Sequence, residues 1–248
     1  MSCKKTIAGA FSAAAATYET AARAQVRAAD SLVERLGALA GPLRVLELGC
    51  GTGLLTRRLA AVLPAGSQIL ATDLSPVMVQ AAGAALPGIT FAVMDAEAPH
   101  ATGPFDLIAS SLAAQWFADL PATLVRLAGL LAPGGRLLLT TLGAGTFTQW
   151  KDAHRALGVE SGVPDYPDAP TLAAMLPGAR VESLPLTLSY KDARTFLLSL
   201  QALGAQTPKP GHRPLSPGQV RRIIKAMGSP CAITWDILLL DYRREEGA

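Results

Sequence analysis

Residues 45–53 read Val-Leu-Glu-Leu-Gly-Cys-Gly-Thr-Gly, an apolar run that passes through one acid into three glycines set two apart. Glycines at the end of a buried strand let the backbone approach a nucleotide-like ligand, because no Cβ stands in the way and positive φ is open to them. The spacing narrows the ligand. A dinucleotide fingerprint needs glycine where this chain has Leu54, and a P-loop needs Gly-Lys-Ser/Thr where Leu54 and Leu55 follow Gly53. Both NAD and nucleoside triphosphates fit poorly.

Further apolar runs at 68–71, 89–94, 105–110 and 136–142 follow the first at 44–48, each separated from the next by a helical segment. That alternation predicts a parallel sheet with helices on both faces and a ligand crevice outside the carboxyl ends of the strands. The second run extends over 67–74 and carries Asp73 at its end, twenty residues past Gly53, where a carboxylate can accept ribose hydroxyls. Asp95 ends the third run and Ser111 follows the fourth. Ser75-Pro76 predicts a helix start, with serine as N-cap and proline at the first helical position. A helix over 119–131 should be closed by Ala132-Pro133-Gly134-Gly135, which must turn. Beyond 142 the expected elements are helices near 147–157 and 171–176, a strand at 181–190 and a last strand at 232–240. An insert at 191–230 holds two helices, 193–203 and 216–227, around a Pro- and Gly-containing loop.

The combination of Glu47, the glycine turn, Asp73 and Asp95 at successive strand ends resembles the class I S-adenosylmethionine-dependent methyltransferases. The resemblance implies a Rossmann-like α/β fold with a mostly parallel seven-stranded sheet, helices on both faces and a helical lid insert, the last strand running antiparallel. It also implies a site for S-adenosylmethionine built from Glu47, Gly49, Cys50, Gly51, Gly53, Asp73, Leu74, Met78, Asp95, Ala96 and Ser111. In that family the turn underlies the methionine part of the cofactor, and an acid at the place of Asp95 meets the adenine amino group. Cys50 reads as a small residue filling a tight turn rather than as a nucleophile.

At 248 residues, half of them hydrophobic and only 17% charged, the chain is long enough for one domain with a large core. No apolar run approaches the roughly 20 residues that span a bilayer. Lys4 and Lys5 before an alanine-rich stretch imitate a secretory signal, but Tyr18, Glu19, Arg23, Gln25 and Arg27 continue it at helical spacing, so a first amphipathic helix is expected. Cys3, Cys50 and Cys231 are too widely spaced for a disulfide framework or a C-x-x-C metal pair, which points to the cytoplasm and to no metal. The expected organisation is a single domain over 1–248. Residues 1–40 form a helical cover, 41–142 the cofactor core, and 143–248 a C-terminal half containing the insert.

Three further stretches are similar to the malonyl-acyl-carrier-protein O-methyltransferases of biotin synthesis. They are residues 7–14 continuing to Thr17-Tyr18-Glu19; Ser111-Leu112-Ala113-Ala114-Gln115-Trp116 with the strand from Arg136 behind it; and 199–205 leading to Leu215-Ser216, a serine placed to cap the last helix. The alanine-rich first helix and the loop over 207–217 depart from that pattern. The resemblance implies methylation of the free carboxylate of a malonyl thioester, carried by acyl carrier protein or by coenzyme A. An ionised carboxylate needs no base to attack a sulfonium methyl, so orientation and desolvation suffice. Tyr18, Gln115, Trp116 and His154 are the candidates for holding the acceptor, His154 lying with Lys151 and Arg155 on a charged helix expected to be solvated. Lys191, Arg194, Lys209, Arg213, Arg221, Arg222 and Lys225 face one acid, Asp192, within the insert of a chain that is only +3 overall, a local basic face suited to an acidic carrier protein. The rival readings are a carboxyl methyltransferase for a small free acid, and a non-methylating adenosylmethionine-binding assembly factor or hydroxylase relative on the same fold. The chain lacks the flipping motif and the aromatics that a nucleic-acid methyltransferase would use.

Overall fold

The computed structural model describes residues 3–247, with Cys3 described by its backbone alone; residues 1, 2 and 248 of the expected span lie outside the described residues. Seven strands form one sheet: β1 (Arg44–Leu48), β2 (Gln68–Asp73), β3 (Thr90–Val93), β4 (Phe105–Ser111), β5 (Leu131–Leu142), β6 (Arg180–Tyr190) and β7 (Cys231–Arg243), in the order β3-β2-β1-β4-β5-β7-β6. The first five pair in parallel, while β7 runs antiparallel between β5 and β6. In β1 Val45, Leu46 and Leu48 are fully buried. Burial on both sheet faces is why this strand reads as a continuous apolar run rather than an alternating one. After β1 the chain goes to β2 and β3 on one side and returns to β4 and β5 on the other. The strand order therefore reverses between β1 and β4, and a crevice opens outside their carboxyl ends.

Ten α-helices accompany the sheet among the described residues: α1 (Cys3–Ala14), α2 (Tyr18–Ala21), α3 (Arg23–Leu36), α4 (Leu54–Val62), α5 (Pro76–Ala85), α6 (Leu120–Gly129), α7 (Thr148–Ala156), α8 (Ala169–Ala174), α9 (Ala193–Ala202) and α10 (Pro217–Met227). The amino end is three helices and not the one that the spacing predicts. The Thr17 hydroxyl donates to the carbonyl of Ala14 and, across the fold, to that of Ala202, fixing a corner between α1 and α2. A second corner at Ala22 then turns α3 onto the sheet. Ala24, Ala28, Leu32 and Leu36 fall on one helical stripe and are buried there, the alanines permitting a close approach.

The Ala132-Pro133-Gly134-Gly135 segment does turn, but inside β5. Phe105 pairs with Leu131 and Leu107 with Arg136, so one residue of β4 faces a four-residue excursion of β5. Helix α6 accordingly stops at Gly129, earlier than the expected 131, because Leu131 is already in the sheet. Ser75 caps α5 through an acceptor bond from the Met78 amide, and Ser216 with Gln219 forms a capping box on α10. The insert docks through Phe196 and Ile223, both fully buried in a cluster with Phe147, Trp150 and Trp235. Phe147 meets Phe196 and Trp235 edge-on, with ring centroids 5.1 and 4.8 Å apart. Cys50 and Cys231 are free and buried.

Candidate active site

The turn after β1 is held from three sides. A Cβ on Gly49 would lie 2.4 Å from the Cβ of Ala113, so glycine is what lets the turn pack against the loop after β4. Gly49 and Gly53 both take positive φ, and Gly53 opens α4. From β2, Asp73 accepts the Gly51 amide on Oδ2 at 2.9 Å and the Ser75 amide on Oδ1 at 2.8 Å. Each oxygen keeps a further lone pair for a ligand hydroxyl. Burial raises the Asp73 pKa, and the amides of Ser75, Gly51 and Leu74 pull against it.

A cleft of about 100 Å³ lies over these strand ends. Gly49, Gly51, Asp73, Leu74, Met78, Asp95, Ala96 and Ser111 line it, so the structure brings most of the expected cofactor residues to one surface. Glu47, Cys50 and Gly53 are not on that surface. Glu47 sits beneath the turn at 1% exposure, with Oε2 lacking a hydrogen-bond partner. Burial pushes its carboxyl up to about 8, Thr56 opposes this and the Asp73 charge adds to it. Burial, then Glu47 and Asp73, push the Cys50 thiol far above its ordinary value. Cys50 is therefore built as a packed small residue and not as a nucleophile.

Helix α1 covers the cleft with Lys4, Ile7, Ala8 and Phe11, none of which sequence reasoning singled out as site residues. Lys4 Nζ stands 2.6 Å from Asp95 Oδ2 and 2.7 Å from Glu97 Oε2. Burial works against charge on both partners, but the ion pairs raise the Lys4 pKa and hold the Glu97 carboxyl below its usual range. The legible signal was the pair of lysines opening an otherwise apolar helix. Met94, Glu97, Leu112, Ala113 and Phe117 line it too, with Tyr18 and Trp116; Leu112 and Ala113 belong to the stretch from Ser111 to Trp116, whereas Met94, Glu97 and Phe117 carry no motif of their own.

A second, smaller cavity of about 30 Å³ adjoins the cleft across a shared wall of Phe11, Tyr18, Leu112 and Trp116. Trp116 is set by an edge-on contact with Phe11, centroids 5.6 Å apart. Gln115 faces this inner cavity, its Nε2 donating to the Leu112 carbonyl at 2.6 Å. Leu112 takes a φ of +47°, held by its amide bond to the Thr140 carbonyl. Burial drives the Tyr18 hydroxyl well above its ordinary pKa, with smaller contributions from Asp73 and Glu19, so it stays a neutral donor. His154 is not brought to either cavity. It is 1% exposed against Trp150, its Nδ1 2.8 Å from the Trp150 carbonyl, which corrects the expectation of a solvated face. The apolar side of α7 buries it and lowers its pKa, while Arg155 on the outer side is exposed.

On the insert, Lys191, Arg194, Arg213, Arg221, Arg222 and Lys225 are all exposed, whereas Lys209 is tied to Glu160 in an ion pair. Among the described residues no three His, Cys, Asp or Glu side chains are grouped to hold a metal ion, and no helix is long and apolar enough to cross a membrane.

Residues 20–179 match a family model described as a methyltransferase domain. A biotin biosynthesis bifunctional protein BioCD of Bordetella avium is 41% identical over 98% of this chain, which spans 53% of that protein, about half its length. A malonyl-[acyl-carrier protein] O-methyltransferase of Magnetococcus marinus is also 41% identical, over 86% of this chain and 82% of its own. Among solved structures, the YcgJ protein of Bacillus subtilis superposes with a TM-score of 0.63 at 16% identity, covering 89% of this chain and 99% of that one. That likeness speaks to the fold.

Proposed function

The chain belongs to the malonyl-[acyl-carrier protein] O-methyltransferase family of class I methyltransferases, and from that membership we propose that it methylates the free carboxylate of a malonyl thioester at the start of biotin synthesis. S-adenosylmethionine is its cofactor. The observation that carries the reading is the extent of the kinship, which runs through the insert and the last strands as well as the cofactor half. The cleft suits the cofactor on its own chemistry: Asp73 has acceptor capacity left for two hydroxyls, the Gly51 side of the turn has no side chain within 4 Å of where a Cβ would stand, and Met78 and Met94 offer apolar walls. When bound, the cofactor supplies an electrophilic methyl group on a sulfonium.

The residues of the chain then have three tasks. Asp73, Gly49 and Gly51 fix the cofactor against the sheet, with Asp95 at the far end of the cleft. Tyr18, Phe11 and Trp116, in the wall between the cleft and the inner cavity, hold an acceptor oxygen about 3 Å from the methyl carbon and exclude water. The third task is leaving the nucleophile ionised, and no base is needed for it. The exposed basic residues Arg194, Arg213, Arg221, Arg222 and Lys225, with Lys191, receive an acidic carrier protein. We place the chain in the cytoplasm as a single domain, residues 1–40 serving as cover and 191–230 as docking insert.

Mass spectrometry of malonyl-carrier protein after incubation with enzyme and S-adenosylmethionine tests the reading, with acetyl-carrier protein, malonyl-coenzyme A and free malonate as comparisons. A gain of one methylene on malonyl but not acetyl carrier protein is expected. Consumption of free malonate alone would favour the small-acid reading, and methylation of nothing would favour a binding-only relative.

A further inference from the structure

Three side chains bring unpartnered buried polar atoms to the inner cavity: Gln25 from α3, Gln115 from the turn after β4, and Trp235 from β7. The atoms are Gln25 Oε1, Gln115 Oε1 and Trp235 Nε1. A buried polar group left unsatisfied costs about 1 to 3 kcal/mol, and native proteins keep few of them. Their convergence from three distant parts of the chain on one cavity marks a place where a ligand completes the hydrogen bonding.

Tyr18 and Tyr166 share the lining, and burial keeps both hydroxyls protonated, so they donate. Among the described residues, no lysine, arginine, aspartate or glutamate lines the cavity. Trp235 offers a fixed N–H, its ring locked edge-on against Phe147. The Gln25 amide presents either a donor or an acceptor by a half-turn about its last side-chain bond, whereas Gln115 is held by its Nε2 bond to the Leu112 carbonyl and turns an acceptor oxygen to the cavity. Such a lining suits a small anion that must stay reactive. Neutral donors satisfy a carboxylate without the ion pair that would quench its attack, and a fixed cation here would repel the sulfonium across the shared wall. The space of about 30 Å³ has room for two or so water-sized groups, the size of one carboxylate.

We propose that Gln25, Tyr166 and Trp235, with Tyr18, form the subsite that receives the acceptor's free carboxylate and selects a three-carbon diacid half-thioester. This rests on the proposed function for the identity of the acyl group, but not for the carboxylate itself.

The test is calorimetric titration of malonyl-pantetheine, acetyl-pantetheine and free malonate into the full chain saturated with S-adenosylhomocysteine. Trp235→Phe removes the N–H and keeps the aromatic packing; Gln25→Met removes the amide and keeps the length. Each variant should weaken the carboxylate-bearing probe at least about tenfold, leave acetyl-pantetheine within twofold, leave S-adenosylhomocysteine affinity unchanged and not lower the melting temperature. If only free malonate binds, and Trp235→Phe weakens it, the subsite stands and the thioester reading fails. Unchanged carboxylate binding in both variants, equal loss of malonyl and acetyl probes, or no carboxylate binding by the parent chain would overturn the subsite.

Discussion

The Gly51 amide donates to Asp73 Oδ2 over 2.9 Å, tying the glycine turn after one strand to the end of its neighbour. One carboxylate thus shapes the cofactor turn and faces the cleft. Replacing Asp73 by alanine removes the ribose acceptor and frees the Gly51 and Ser75 amides together. S-adenosylmethionine affinity should fall by roughly 1 to 3 kcal/mol, measured by calorimetry. Asp73→Asn keeps the size and one acceptor oxygen and should lose less; equal affinity in the alanine variant and the parent would remove Asp73 from the site.

Lys4 bridges Asp95 and Glu97 in the lining of the cleft. Asp95, the acid we propose for the adenine amino group, is thus already engaged by α1, and on that reading the cofactor competes with Lys4 for it. Lys4→Ala should raise the association rate of S-adenosylmethionine by on the order of twofold to fivefold, the range of a partly exposed ion pair. Stopped-flow binding reads this, and raising the salt should narrow the gap between variant and parent. A slower association in the variant would mean that Lys4 recruits the cofactor and does not mask its site.

Glu47 carries a pH dependence with a definite sign. Its carboxyl is raised from 4.5 to about 8 in the folded chain, so between those values the unfolded chain is ionised while the folded chain holds its proton. The corresponding stability is fully present below the unfolded value and is lost as pH rises through the folded one. Glu47→Gln does not titrate, so its melting temperature should gain on the parent steadily from about pH 5 to pH 8 and level off above that. The difference should reach on the order of a few kcal/mol in unfolding free energy. Parallel melting curves across that range would place Glu47 in a polar, ionised environment.

Arg221 and Arg222 project from α10, and both are exposed. Reversing both to glutamate should lower kcat/KM for malonyl-carrier protein about tenfold at low salt, with the loss shrinking as salt rises. Malonyl-pantetheine, which has no acidic carrier, should be turned over unchanged. An equal loss on both substrates would locate the effect in the catalytic half.

The cofactor half was legible in the sequence because its requirements are local. A glycine turn, an acid at each of two strand ends and the alternation of strands and helices are written within about fifty residues of each other, from Val45 to Asp95. The acceptor half was not. Gln25, Tyr166 and Trp235 lie in three unrelated segments that meet through tertiary packing, and none sits in a recognisable motif. His154 misled because a helix carrying Lys151, Asp152 and Arg155 reads as charged throughout, whereas its i to i+4 stripe from Trp150 to His154 faces the core. The corners at Thr17 and Ala22 escaped for a similar reason: alanine has the highest helix propensity, and a long-range bond from Thr17 to Ala202 overrides it.

The thirteen residues of β7 fill the gap between β5 and β6, pairing with both. During synthesis, then, β5 waits with an open hydrogen-bonding edge while about ninety residues are made, and the sheet closes only when β7 slides in between β5 and the edge strand β6. Such nonlocal closure is slow, and an unpaired apolar edge is a template for other chains. A chain that stops before residue 231 leaves that edge of β5 unpaired, and aggregation, rather than a partly active enzyme, is the outcome this topology predicts.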